Sequence, residues 1–352
     1  MSIHRRRRGQ FRPLRTLAAC AVAALAAWSA PAFAQSQSAA DFYKGKTVRI
    51  IVGFGVGGGY DTYARMLAPY LREQLKTTVI VENQPGAGGL SALNRLYAAP
   101  PDGLQLMLIS GIASTLSQLV EQGEVRYDLS KVGHLGIVSA SPWMWLGGQQ
   151  SPIRTAADAL KPGVQLSWGA SGQIDGTADG AAITCTVLKL NCKVIGGYRG
   201  TAEIALAIER KEMDALYVSD TSANLYVKSG QSRPVATMAR TKSRFFPDAP
   251  SIFDAVKLTP EQEWWFDFRS TLDALGRVLI TTPGVAADRL AFLQEAVRTM
   301  VRDPALLAEA EKTQRYIDYR DPAASLAAIE RVIKAPTAAQ RAEIKHIVLS
   351  KY

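Results

Sequence analysis

The sequence predicts an α/β chain folded as two lobes. A β-branched strand, a helix of amphipathic repeat and a second strand follow one another over residues 47–81; the same alternation restarts after Ser151; and the chain from residue 286 onward is helical and too amphipathic to fold alone. The helical tail is therefore expected to pack back on the first lobe, so that the polypeptide crosses between lobes twice. The division expected is a leader over 1–34, a first lobe of 35–140 with 270–352, and a second lobe of 141–269.

Residues 47–52, Thr-Val-Arg-Ile-Ile-Val, form a strand by their β-branched content. Residues 61–75 place Tyr63, Leu67, Tyr70, Leu71 and Leu75 at helical spacing, with Pro69 expected to kink or break the helix. A strand at 77–81 completes a βαβ unit, hence a largely parallel sheet. A helix over 89–98, a Pro100-Pro101-Asp102-Gly103 turn and a strand over 104–110 follow, then an apolar run over 135–147 interrupted at Pro142. In the second lobe strands are expected at 164–169, 194–198, 215–219 and 235–239, alternating with helices at 179–190, 202–209 and 222–229. A strand at 275–281 precedes the tail, which Pro304, Pro322 and Pro336 punctuate.

Composition narrows the function class. With 352 residues, 47% hydrophobic and 20% charged, the chain is neither disordered, collagenous nor a small disulfide scaffold. The net charge of +10 suggests a polyanion partner, but Arg5, Arg6, Arg7, Arg8, Arg12 and Arg15 lie in the first 34 residues with no acid among them; 41 basic residues less these six leave 35 against 31 acidic, and the case for nucleic acid is lost. That arginine-rich start, an apolar stretch over 16–29 and Ala32-Phe33-Ala34 predict a secretory leader cleaved after Ala34. Leu17-Ala18-Ala19-Cys20 imitates a lipoprotein box but precedes the apolar core it should follow. Arg7-Arg8-Gly9-Gln10-Phe11 sets its Phe one residue late for a twin-arginine signal. The mature chain is expected in the periplasm, as a soluble monomer.

Two cysteines remain after the leader. On one straight helix Cys185 and Cys192 would be roughly 10 Å apart, too far to bridge; if Asn191 ends the helix and turns the chain, a disulfide becomes feasible, and two buried small apolar side chains are the alternative. The two histidines of the mature chain, His134 and His346, sit in no metal or nucleophile motif; His134 is read as a loop residue and His346 as a surface one. No catalytic residue, cofactor or metal is expected.

The most informative segment is Gly53-Phe54-Gly55-Val56-Gly57-Gly58-Gly59-Tyr60-Asp61, between the first strand and the first helix. Gly53, Gly55 and Gly58 satisfy G-x-G-x-x-G, and Glu82 lies where a dinucleotide fold would place its ribose-binding acid, so an exported NAD(P)-dependent oxidoreductase is a genuine alternative. Physically, such a loop says only that backbone N–H groups approach an anion at a helix N-terminus. Three observations favour a carboxylate over a pyrophosphate: export from the nicotinamide pool, a second glycine loop at Pro85-Gly86-Ala87-Gly88-Gly89 that a dinucleotide site does not require, and the scarcity of catalytic groups.

Several segments carry a resemblance. Lys46-Thr47-Val48-Arg49-Ile50-Ile51-Val52 with the first glycine loop, Val79-Ile80-Val81-Glu82-Asn83-Gln84-Pro85-Gly86-Ala87-Gly88-Gly89, Pro101-Asp102-Gly103, Gly169-Ala170-Ser171-Gly172, Gly197-Tyr198-Arg199-Gly200-Thr201 and Arg244-Phe245-Phe246-Pro247-Asp248-Ala249-Pro250-Ser251 together resemble the Bug-type extracytoplasmic solute receptors of tripartite tricarboxylate transporters. The resemblance implies a type II periplasmic-binding-protein fold, two α/β lobes joined by two crossover strands, that closes on a small di-, tri- or aromatic carboxylate and delivers it to membrane permease subunits. It points to Phe54, Gly55, Val56, Gly57, Gly58, Gly59, Asp61, Ser110 and Gly111 from the first lobe, and to Ala170, Ser171, Gly172, Gln173, Tyr198, Arg199, Gly200, Thr201 and Asp220 from the second. Asp61 is read as bracing its loop in preference to touching an anionic ligand. The first loop departs from the proline-richer family form, which leaves ligand identity open. Trp143, Trp145, Trp168, Trp264 and Trp265 are assigned to core or inter-lobe packing, with an aromatic cleft wall as the alternative.

Overall fold

Alternating β-branched and amphipathic segments resolve into two five-stranded sheets. The computed structural model describes residues 1–2, 38–121 and 123–350; the leader's apolar core, Cys20 and the Ala32-Phe33-Ala34 site lie outside the described residues. The first sheet contains β1 (Thr47–Val52), β2 (Thr78–Asn83), β3 (Gln105–Ser110), β4 (Gly133–Ser139) and β10 (Arg277–Thr281), in the order β2-β1-β3-β10-β4. The second contains β5 (Trp143–Gly148), β6 (Gln165–Gly169), β7 (Asn191–Ile195), β8 (Ala215–Ser219) and β9 (Ser232–Thr237), in the order β7-β6-β8-β5-β9.

The two sheets share one plan. β1 runs parallel to β2 and β3, with Ile50 opposite Val81 and Leu106, and β6 runs parallel to β7 and β8. The strand that follows each crossing enters antiparallel at the fourth position: β5 between β8 and β9, β10 between β3 and β4. The crossings lie side by side. Gly276, at φ +35°, accepts a hydrogen bond from Gly111 N–H at 3.0 Å, and a β-carbon there would fall 2.8 Å from Ala140 Cα.

Both faces of the first sheet are covered, as parallel strands require. Val48, Ile50 and Val52 join the apolar layer under α2 (Gly59–Leu75), α11 (Ala287–Met300) and α12 (Pro304–Lys312), while Ile51, Met107 and Ile109 pack with α3 (Leu90–Tyr97) and α4 (Gly111–Leu119). The latter layer continues through Trp143, Trp265 and Leu275 into the second sheet. On that sheet's far side α7 (Thr201–Glu209) and α8 (Asp220–Lys228) cover Met144, Leu146, Leu216 and Val218. Short helices α1 (Ala39–Tyr43), α5 (Ala156–Ala159) and α9 (Ile252–Ala255) fill connections, and α10 (Pro260–Asp273), opened by a Thr259–Gln262 capping box, returns the chain to β10.

Several elements differ from expectation. The helix anticipated at 179–190 is α6 (Gly176–Val187), because Asp175 caps it by accepting from the Thr177 and Ala178 N–H groups. The following strand therefore begins at Asn191, not 194. Lys189 at φ +54° turns the chain, and a Cys185–Cys192 disulfide closes the gap at a Cα separation of 6.1 Å. α2 continues through Pro69 without a break in the helix. His134 lies inside β4, buried, with its ring nitrogens against Ser325 Oγ and Leu129 O, and burial lowers its pKa. In the tail α13 (Pro322–Lys334) packs on β4, but α14 (Ala338–Ser350) lies against α6, where Ile344, Ile347 and Val348 enter the continuous apolar layer.

Candidate functional site

The C-terminal ends of β1, β3, β6 and β8 lead into helix N-termini that face one crevice, the position at which open α/β sheets take ligands. The first four N–H groups of a helix lack partners within it and attract negative charge. α2, α7 and α8 begin at Gly58, Gly200 and Ser219 with no side-chain cap. α4 and α6 differ: Ser110 Oγ accepts from Ala113 N–H, and Asp175 occupies the α6 N-terminus.

Two small cavities of about 20 and 30 Å³ occupy the crevice. Both have Gly59, Tyr60, Trp143 and Thr201 in their walls; one adds Ser219, Ser222 and Arg277, the other Phe54, Ser110, Ser171, Asp175 and Thr177. The lobes meet around them. Gly55 N–H donates to Arg199 O at 2.6 Å and Gly88 N–H to Ser171 O at 3.2 Å. Gly88, at φ +64°, lies so near the second lobe that a β-carbon would come within 2.8 Å of Asp175 Cβ, and one on Gly172 within 2.5 Å of Gly88 N.

The sequence-predicted residues divide accordingly. Phe54, Gly58, Gly59, Ser110, Ser171 and Thr201 form cavity walls. Gly55, Arg199 and Gly200 form the inter-lobe backbone contact; the Arg199 side chain is exposed, and the Arg199 backbone N–H donates to Glu203 Oε2. Asp61 braces the loop: Oδ2 accepts from Gly57 N–H at 2.8 Å and Oδ1 from Arg65 Nε at 2.9 Å. Burial opposes its ionisation, but Arg65, Gly57 and Asn83 together hold the carboxyl below its ordinary pKa. Val56 is 64% exposed at the loop tip. Gly111 packs on Leu275, Ala170 N–H bonds Ile195 O, and Tyr198 N–H bonds Ala170 O. Gln173 points outward to Leu349 O. Asp220 is buried with Oδ2 accepting from Ser243, burial raises its pKa, and it is in neither cavity wall.

Sequence reasoning missed Tyr60, Asp175, Thr177, Ser219, Ser222 and Arg277. Arg277 is the notable omission, a charge inside the otherwise apolar 275–281 strand, and such a charge on a buried strand is itself a functional signal. Of the five described tryptophans only Trp143 reaches the cavities; Trp145 and Trp168 pair in the second-lobe core at 5.0 Å, Trp265 is buried, and Trp264 stacks on Phe268 away from the crevice. Beneath Trp143 lies a buried ionic cluster: Arg269 meets Asp179 at 2.6 Å and Asp273 at 2.8 Å, and its Nη2 donates to Gly176 O. Burial pushes Asp179 up to about 6 and Asp273 up to about 7, against the opposing pull of Arg269.

The dinucleotide alternative finds no support. Gly53 serves close packing of the two glycine loops, since a β-carbon there would lie 2.6 Å from Gly89 Cα, and Glu82 on edge strand β2 is engaged by Arg49 and Gln84. Among the described residues no cluster of three or more His, Cys, Asp or Glu could hold a metal, and no helix is long and apolar enough to cross a membrane. A wider groove lined by His134, Gln294, Arg298 and Tyr319 lies elsewhere and receives none of the uncapped helix ends.

Comparison with known proteins agrees with this geometry. A UPF0065 protein of Bordetella pertussis is 27% identical over 269 residues, 74% of this chain and 82% of that one. The structure of the periplasmic binding protein BugD superposes with a TM-score of 0.73 at 20% identity, covering 88% of this chain and all of that one. MatC from Rhodopseudomonas palustris with bound malate gives 0.70 at 18% identity, covering 87% and 100%. These structural likenesses establish the type II periplasmic-binding-protein fold. Residues 63–312 match the model of the tripartite tricarboxylate transporter family receptor, and the chain belongs to that family.

Proposed function

We propose that this chain is a periplasmic receptor that takes one small organic carboxylate into the crevice between its lobes, closes over it, and presents it as a monomer to the permease subunits of a tripartite transporter. The observation that carries the reading is the convergence of three uncapped helix N-termini, from both lobes, on cavities whose walls both lobes supply. Each terminus carries partial positive charge, and the α2 and α7 ends begin at glycines that supply no side-chain cap, so a carboxylate held by both lobes favours the closed arrangement, and affinity and docking signal arise from one motion. The malate held by MatC supports a carboxylate as the cargo. The ligand-facing set is Phe54, Gly58, Gly59, Tyr60, Ser110, Trp143, Ser171, Thr201, Ser219 and Ser222, and the leader over 1–34 would direct export.

Native mass spectrometry of the chain purified without added ligand tests this. A released mass matching a small carboxylic acid is expected. A co-purifying NAD(P), or no affinity for any carboxylate in a calorimetric panel, would refute it.

A further inference from the structure

Arg277 is the only cationic side chain in the walls of the two cavities, among the described residues. It is 3% exposed, and its Nη2 donates to the hydroxyls of Ser219 at 3.1 Å, Thr221 at 3.3 Å and Ser222 at 3.4 Å. Its Nε–H has no partner, and among the described residues no carboxylate lies within ion-pairing distance of it. The guanidinium lies over the Tyr63 ring at 4.2 Å and near that of Tyr60 at 5.3 Å. A guanidinium so enclosed, held by hydroxyls and rings and reached only through space by the buried Asp220 carboxylate, which makes no ion-pair contact with it, is costly unless a negative group completes its shell. Asp220, the first residue of α8, turns its Oδ2 to Ser243 and is absent from the cavity walls. Gly59, the first residue of α2, sits directly against this group: a β-carbon there would come within 2.9 Å of Arg277 Nη2.

The opposite end has the reverse character. Asp175 is 1% exposed and forms part of the second cavity's wall. Its two oxygens already accept from Ser171 N–H, Ser171 Oγ, Thr177 N–H, Thr177 Oγ1 and Ala178 N–H. The α6 N-terminus that would otherwise receive an anion is thus filled by the chain's own carboxylate. A second carboxylate on the ligand, placed there, would meet a fixed negative charge whose donors are spent.

We propose that Arg277 forms a direct ion pair with the ligand's carboxylate, and that Asp175 excludes a second one, so that the site selects a monocarboxylate whose far end is uncharged and able to hydrogen-bond to Ser110, Ser171 or Thr177. This rests on the carboxylate-receptor reading above and narrows its substrate class. It also sets the chain apart from the malate-holding relative, whose ligand carries two carboxylates.

Isothermal titration calorimetry with lactate, 4-hydroxybenzoate, malate and adipate, on the unmutated chain and on Arg277→Gln, Arg277→Lys and Asp175→Asn, tests the proposal. Lactate or 4-hydroxybenzoate is expected to bind at least about tenfold more tightly than either dicarboxylate. Arg277→Gln should weaken that binding about thirtyfold or more, with Arg277→Lys recovering part of it. Asp175→Asn should narrow the gap between mono- and dicarboxylates. Circular dichroism melts establish that each variant is folded, and the unmutated chain's selectivity stands even if one is not. Malate or adipate as the tighter ligand, or unchanged affinity in folded Arg277→Gln, would overturn this inference and leave the receptor reading intact. Failure of all four probes to bind would count against both.

Discussion

Gly58 and Gly59 are neighbours in one loop, yet the structure assigns them opposite tolerance, and this separates closure from folding. A β-carbon on Gly58 would make ordinary contacts, 3.5 Å to Gly55 O and 3.6 Å to Thr201 Oγ1, at an unstrained φ of −75°. A β-carbon on Gly59 would come within 2.9 Å of Arg277 Nη2 and closer still to Ser222 Oγ, a residue of the opposite lobe. Overpacking of this kind costs about 1–3 kcal/mol, and its closer contact, with Ser222, arises only where the lobes meet, so Gly59→Ala should weaken ligand binding about 5- to 150-fold. The fold itself should gain, because alanine replaces glycine at the start of α2, by up to about 1 kcal/mol. Gly58→Ala should leave affinity within about threefold. The assay is calorimetric titration with a bound carboxylate, alongside urea denaturation and small-angle scattering with and without ligand. Gly59→Ala binding as well as the unmutated chain, or both alanine variants losing affinity equally, would refute the reasoning.

Other predictions rest on the core around the crevice. Arg269→Met leaves Asp179 and Asp273 buried without their cation and should destabilise the fold by about 3–5 kcal/mol at pH 8, less at pH 5, as urea midpoints would show. The folded-state pKa values of these two acids, about 6 and about 7, lie above the ordinary 3.8, so the folded chain holds protons that the unfolded chain releases. Their contribution to stability is therefore full below about pH 4 and lost as pH rises through about 6–7. Asp273→Asn should remove about 2–3 kcal/mol of the decline between pH 5 and pH 8; an unchanged pH profile would contradict the assignment. Replacing Cys185 and Cys192 by Ala opens a loop whose closure is worth about 2.5 kcal/mol, readable as a lower urea midpoint, and an unchanged midpoint would count against it. Asp61→Ala removes the acceptor of the Gly57 N–H at the exposed loop tip and should cost about 1 kcal/mol, with faster amide exchange over 55–58 as the local signature.

The strands were legible because short apolar runs, β-branched at 47–52 and apolar at 215–218, are bounded by glycine or polar residues; they match β1 and β8. The first glycine loop was legible because nothing but close approach requires so many glycines between a strand and a helix. α6 was misplaced for a physical reason. It is buried on nearly every side, so its sequence Gly-Thr-Ala-Asp-Gly-Ala-Ala carries no amphipathic period, and the one start signal, Asp175 as cap, is a single residue. The same blindness hid the site's charges. Asp175 and Arg277 are 102 positions apart in sequence, and only the return of β10 between β3 and β4 brings the guanidinium to the cavity. Arg199 shows the converse: its type suggested an ion partner, while its backbone carbonyl, which residue type does not reveal, makes the inter-lobe bond.

Amide hydrogen–deuterium exchange on the chain, with and without 4-hydroxybenzoate or malate at saturation, tests most directly whether the crevice is where an anion is held. Slower exchange is predicted together at 54–60, 171–177, 199–202 and 219–222, segments that belong to both lobes and that only inter-lobe binding would protect at once. Protection confined to the outer groove at 290–326, or to one lobe alone, would contradict the account.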